Sequence, residues 1–493
     1  LHDRSSQTTD RQITFAPRGH VLTNAGVWSR DGRLIAYDTR SDPAGAVFDG
    51  RSIETVDTET GRVSVVYDAA PCGVVTFDPQ HDRVVFIRGP ADPTPDWSYS
   101  PTHREGMLVE LASPGVAVSL DARDLIPPFT PGALRGGTHV HQFSPDGKLV
   151  SFTYEDDVLA RLTPGETVDR NTRAVGVTVL DRPAVVPPGP HNLSAVGFSV
   201  LVTDLIPRQT ADREHPLRLE IDSPGRKARG RSRNADPCTR PSAFRPRLST
   251  EEISTPSFGV DEALVDESYT DQITRAREEA WIGTAGYLRP GGTRQRYALA
   301  FLGEIGQHEE LFIVDLPDDL TRPGTRPLQG TPTRRPAPPV GVIQRRLTWT
   351  QDRKFPGIAG PRHWPRSSRD GSAIAFLLRD DDGIPHLHTV SPNGGEVTQL
   401  TRGPLGISSA FTWSPDGRRI ACVIDRSVVT VDTATGRIDR LTARSSQESA
   451  PRPEACVLSA DASRIAYVRP VQDDGVEYNQ IFIVTVPDML EGA

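Results

Sequence analysis

One short motif recurs along this chain and restricts it to very few folds: an aromatic residue or Leu, a Ser, any residue, an Asp and a Gly, then an alternating apolar run. Clear copies are Trp28-Ser29-Arg30-Asp31-Gly32, Phe143-Ser144-Pro145-Asp146-Gly147 and Trp413-Ser414-Pro415-Asp416-Gly417, and weaker ones start at Phe77, Ser367 and Leu458. Asp-Gly between alternating apolar stretches signals a hairpin, because both residues tolerate the positive φ of a tight turn. Several copies are followed by a second hairpin that ends in Leu-Thr. A four-stranded unit of about 45 residues cannot bury both of its faces alone and must stack on its neighbours. We therefore expect an all-β fold, a seven-bladed β-propeller with four-stranded antiparallel blades forming a single domain.

The first two blades are expected at residues 21–68 and 69–124, and the third opens at Gly136. Beyond residue 182 the pattern loosens, so an irregular fourth blade is placed there, with an insertion at about 186–290 and later strands at 296–303 and 310–317. Residues 321–341, rich in Pro and Arg, read as an exposed connection. Blades five to seven follow at about 360, 408 and 452. Gln12-Ile13-Thr14-Phe15 repeats the polar-apolar-Thr-aromatic pattern of Arg346-Leu347-Thr348-Trp349. The N-terminal segment is thus predicted to supply the outer strand of the last blade and remove an exposed edge. Residues 270–281 are predicted to form an amphipathic helix on the insertion.

The formal net charge of −8 argues against a nucleic-acid or anionic-membrane partner, since both need a basic footprint. The basic run at residues 225–233 has no interleaved aromatic residue for base stacking and reads as a solvated loop. No apolar run approaches the roughly 18 residues of a membrane span, so no membrane insertion is expected, and the protein reads as soluble, cytoplasmic or periplasmic. The four cysteines have no Cys-x-x-Cys spacing, which excludes a zinc ribbon. Neither a Gly-x-Ser-x-Gly elbow nor a Walker loop is present.

Counting back seven residues from the Asp of each turn, or its equivalent, gives Asn24, Gly73, His139, His363, Ser409 and Glu454. Innermost propeller strands run beside the central channel, so this largely polar set is expected to ring its mouth. His141 follows His139 by two, and residues i and i+2 of an extended strand face the same way. His139, His141 and His363 are the candidate ligands of a divalent metal ion, and three imidazoles with an open position can serve catalysis. The competing reading is that His139 and His141 only hydrogen-bond neighbouring blades. Arg135, Arg362 and Arg366 flank the histidines and suit a carboxylate-bearing ligand. Asn24 and Glu454 are further candidate substrate contacts, and His103 is the candidate proton-abstracting base.

The segments RQITFAPRGHVLTN, TPGALRGGTHVHQFSPDGKLVSFTYEDDV, QRRLTW and PGIAGPRHWPRSSRDGSAIAFLLRDDDGI closely resemble the YidR-type family of bacterial proteins, a family without an established activity. More distantly, the repeats resemble those of the TolB propeller, a protein-binding module. HVHQFSPDGKLVSFT is also similar to the segment of oligogalacturonate lyases in which Gln-x-x-His-x-His precedes such a turn and binds manganese. That likeness implies His139, His141 and His363 as metal ligands, possible manganese as cofactor, and Gly136 where the lyases carry a ligand glutamine. It implies a lyase that acts by β-elimination on a small acidic sugar or oligosaccharide, with Arg135 among the catalytic residues. The alternative is a non-catalytic propeller that binds a protein partner.

Overall fold

The computed structural model describes residues 1–206 and 272–487, apart from residues 24, 46, 48, 70, 163–168, 363 and 455. Within them the chain forms seven antiparallel blades, six of four strands and one of five, so the all-β seven-bladed propeller expected from the repeats is the fold observed. The described residues make one compact unit. The innermost strands are Gly19–Val21, Cys72–Phe77, Gly136–Phe143, Ala276–Trp281, Arg366–Ser367, Thr412–Trp413 and Cys456–Leu458.

The repeated Ser and Asp build the turn that closes each innermost hairpin. In five blades a Ser hydroxyl donates to the Asp two residues on: Ser29 to Asp31, Ser144 to Asp146, Ser368 to Asp370, Ser414 to Asp416 and Ser459 to Asp461. The same hydroxyl accepts from the backbone N–H five residues on, for example Leu34 at 2.8 Å and Arg419 at 2.9 Å. Asp therefore pins the hydroxyl that in turn pins the next strand, and the Gly takes the positive φ, 69° at Gly32 and 70° at Gly417.

Tryptophan at the head of the motif ties blades together. The indole N–H of Trp28 donates to Val457 O, that of Trp281 to Gln142 O and that of Trp413 to Arg366 O, each in the preceding blade of the ring. Between sheets the inward side chains form apolar clusters, such as Ile35, Tyr37, Ala466 and Ile481 between the first and last blades. Burial of this kind contributes about 25 cal/mol per Å² of apolar surface and is the main force that holds the ring closed.

Asp10–Gln12 pairs antiparallel with the outer edge of the last blade, opposite Val484 to Phe482, as expected from the N-terminal pattern. Ile13 is buried there, and Thr14 exchanges hydrogen bonds with Gln480 and the Ile481 N–H. Ahead of it, His2–Asp3 adds a fifth, parallel strand to the sixth blade, which the sequence did not announce.

One expectation about the fourth blade is corrected. Residues 276–281, placed on a helix, form its innermost strand, while residues 198–201, within a stretch whose composition reads as a buried strand, complete the third blade. Strands do follow at Tyr297–Ile305 and His308–Leu316. The Pro/Arg-rich connection is also not simply exposed: Leu328, Arg335 and Ala337 are buried, and Arg335 donates to Arg170 O.

Candidate functional site

Three innermost strands carry the same irregularity. Register shifts lie between Gly73 and Thr76, between His139 and Gln142, and between Arg277 and Ala280. In each the extra residue has positive φ: Val74 at 61°, Val140 at 53° and Glu278 at 60°. A bulge of this type puts two residues opposite one and breaks the alternation of faces. Gly73, His139 and Arg277 are therefore equivalent positions, and so are Val75, His141 and Glu279.

The bulge separates the two histidines that were expected to point together. His141 lies on the side of Thr138 and is fully buried, its Nε2 2.9 Å from Asp121 Oδ2. The Asp121 carboxylate also accepts from Thr138, Thr178 and Ser199. Burial alone would raise this carboxyl, but the charge and hydrogen bond of His141 and the threonine hydroxyls outweigh it and hold it below the usual range. Gly106 makes room: a Cβ there would lie 2.5 Å from His141 Nε2 and 2.4 Å from Asp121 Oδ2. His141 thus serves a buried network between blades.

His139 sits on the other face, opposite Thr153, and is only half-buried. Its pKa is lowered well below the ordinary histidine value, by burial first and then by the charges of Arg104, Arg173 and Arg40, with His141 adding to them. Gly137 explains the nearness of Arg104, since a Cβ there would fall 2.7 Å from Arg104 N and 2.4 Å from Pro101 O. Of the three arginines, Arg40 pairs with Asp38 at 2.5 Å and Arg173 with Glu155 at 2.8 Å, while Arg104 donates to Tyr99 at 3.0 Å. The result is a neutral imidazole in the field of three arginines, two of them paired with carboxylates.

Thr153, the cross-strand partner of His139, donates to Glu279 Oε2 at 3.0 Å. Glu279 is fully buried, and burial pushes its carboxyl up to about 7. Arg277, the fourth-blade equivalent of His139, pairs with Glu309 and Glu278. Neither Arg277 nor Glu279 was found from the sequence. Their blade has Trp281-Ile282-Gly283-Thr284 where the others have the Ser and Asp of the motif, so the count from the turn had no anchor.

The remaining expected site residues fall in different places. Arg135 is wholly buried, bonds Asp156 Oδ2 through Nε at 3.1 Å and Nη2 at 2.5 Å, and donates to Thr331 O, so it ties the Pro/Arg-rich connection to the third blade and does not flank His139 as a substrate clamp. His103 has both ring nitrogens engaged, with Ser98 O at 2.7 Å and Asp157 Oδ1 at 3.0 Å, and stacks on Trp97 with centroids 3.7 Å apart. That leaves it poorly suited to act as a base. Arg362 and Glu454 do come together, at 3.4 Å. Arg366 is buried, lines a cavity at the turn end of the innermost strands and faces Glu279 and Glu278. Asn24 and His363 lie outside the described residues.

The metal expectation fits poorly with what surrounds it. His139 feels the charges of Arg104, Arg173 and Arg40, His141 is engaged by Asp121, and a Cβ at Gly136, the position that the resemblance matches to a ligand glutamine, would fall 2.0 Å from Glu155 O. Among the described residues no three His, Cys, Asp or Glu side chains are arranged to hold an ion. Nor, among them, is any helix long and apolar enough to cross a membrane.

The sheets together define a seven-bladed β-propeller. The model of a family described as a protein of unknown function (DUF3748) matches residues 71–193. Over 470 residues the chain is 38% identical to the uncharacterized protein YidR of Escherichia coli strain K12, covering 93% of this chain and 94% of that one. The chain belongs to the YidR family. Among solved structures, the oligogalacturonate lyase of Vibrio parahaemolyticus superposes with a TM-score of 0.50 at 9% identity, over 99% of this chain and 96% of that one. An oligogalacturonate lyase in complex with manganese gives 0.49 at 10% identity, over 99% and 96%. At such identities the likeness is one of fold.

Proposed function

We propose that the His139 end of the channel binds the carboxylate of an acidic sugar, and that the protein is a lyase that cleaves such oligosaccharides by β-elimination. The observation that carries this reading is the neutral, half-buried His139 imidazole among Arg104, Arg173 and Arg40. The fold shared with oligogalacturonate lyases is consistent with it.

The chemistry needs a cation beside a carboxylate and an unprotonated base beside the neighbouring C–H. Guanidinium donors on the carboxylate withdraw charge, acidify the α-carbon and stabilise the enolate that forms. His139 takes the proton. The C–H electron pair becomes the new C=C bond, and the C–O bond to the leaving sugar breaks with its electrons on oxygen. The imidazolium then returns its proton to that oxygen, so the residue ends as it began. Burial is the first cause of the low His139 pKa, and the arginines add to it; a bound carboxylate offsets the arginine part of the depression. The residues at His139 suit an anion better than a cation, so the imidazole and the arginines carry the chemistry.

An absorbance assay for unsaturated uronate products from oligogalacturonate tests the reading. His139→Gln should lower kcat/KM by a factor of about 100 or more. Wild-type protein that binds no acidic oligosaccharide would leave the non-catalytic, partner-binding reading in its place.

A further inference from the structure

The turn end of the innermost strands holds a cavity of about 880 Å³ framed by residues from all seven blades. Its lining is uneven in chemistry. Trp28, Trp281 and Trp413 contribute from three blades, and each indole N–H is already spent on a neighbouring carbonyl, at 2.9, 2.9 and 2.8 Å. What they present to the cavity is apolar ring surface. The motif hydroxyls of Ser29, Ser368, Ser414 and Ser459 are likewise committed to their turn aspartates.

Charge in the lining is mostly cationic. Arg366 is 7% exposed in the wall, and Arg30 and Arg369 stand exposed at the rim. The acid among the lining residues, Asp146, is bridged by Arg296 at 3.1 Å and by the Tyr297 hydroxyl at 2.6 Å. The carboxylates facing Arg366 are Glu279 and Glu278, and the second of these is paired with Arg277. A buried guanidinium in a wall that also carries indole rings is a recognition element for a planar anion.

We propose that this cavity is a second binding site, separate from His139, for a carboxylate-bearing ligand with a flat apolar face. The carboxylate pairs with Arg366 and the rim arginines, and the apolar face stacks on the tryptophans. An acidic sugar and an aromatic carboxylate both have this chemistry.

Titration of tryptophan fluorescence tests the proposal, since three of the six tryptophans line the cavity. Galacturonate oligomers, benzoate and a neutral sugar oligomer are the probes. A saturable change with one or both carboxylates, absent with the neutral sugar, is expected, and the probe that gives it names the ligand source. The apparent Kd should rise at least tenfold in Trp413→Ala and in the rim variant Arg30→Glu/Arg369→Glu, whose exposed positions spare the fold if an Arg366 variant fails to fold. His139→Gln should leave the response unchanged, so failure of the proposed lyase reading does not mask this result. No saturable change with either carboxylate, an equal response to the neutral sugar, or a response unaltered in both variants would overturn it.

Discussion

His139 and His141 stand two residues apart and do unlike work. His141 is the buried hydrogen-bond partner of the Asp121 carboxylate, so removing it strands Asp121 in the interior. His141→Ala should cost about 3–5 kcal/mol in urea unfolding. His139→Gln should cost much less and change the pH dependence instead. The folded-state pKa of His139 is depressed, so its contribution to stability is fully present above the unfolded value and is lost as pH falls through the window below it. Between about pH 8 and about pH 5, wild-type protein should lose more unfolding free energy than His139→Gln. Equal slopes for the two proteins would contradict the assigned shift. His139 was legible because a turn seven residues away marked its register. The direction of His141 was not, because the intervening bulge falls on Val140, and a β-branched residue at positive φ gives no warning in a sequence.

At the level of the element, the Ser-x-Asp turn is the repeated device. Ser414→Ala removes the acceptor of the Arg419 N–H and the donor to Asp416, and should cost about 1 kcal/mol. Ser29→Ala, two blades away around the ring, should cost a similar amount, and the double variant should be additive to within about 0.5 kcal/mol. Unfolding midpoints of the three variants check this, and strong non-additivity would mean that the turns are coupled. Where the motif is intact the strands were legible with it. Residues 276–281 show the opposite case, since Ala-Arg-Glu-Glu-Ala-Trp has local helical preference, yet backbone pairing with residues 299–303 makes it a strand. Tertiary context overrode propensity there, and it hid Arg277 and Glu279.

On the scale of the whole molecule, the ring is closed by a strand from the opposite end of the chain. Asp10 pairs with Val484 and accepts from the Tyr467 hydroxyl at 2.6 Å, and Ile13 is buried beneath it. Deleting residues 1–15 would bare the edge of Val476–Thr485, and an uncovered edge recruits other chains. The truncated protein should melt lower by about 5 °C or more and associate in light scattering, whereas an unchanged, monomeric protein would deny the strand its closing role. The closed ring keeps the innermost strands in register, and that register sets His139 against the arginines of its own and neighbouring blades. The most direct test is the rate of unsaturated uronate formation from oligogalacturonate in the presence of a metal chelator, for wild type and His139→Gln side by side. The account predicts turnover by the wild type that survives chelation and is lost in His139→Gln. Turnover that persists in His139→Gln, or that vanishes on chelation, would contradict it.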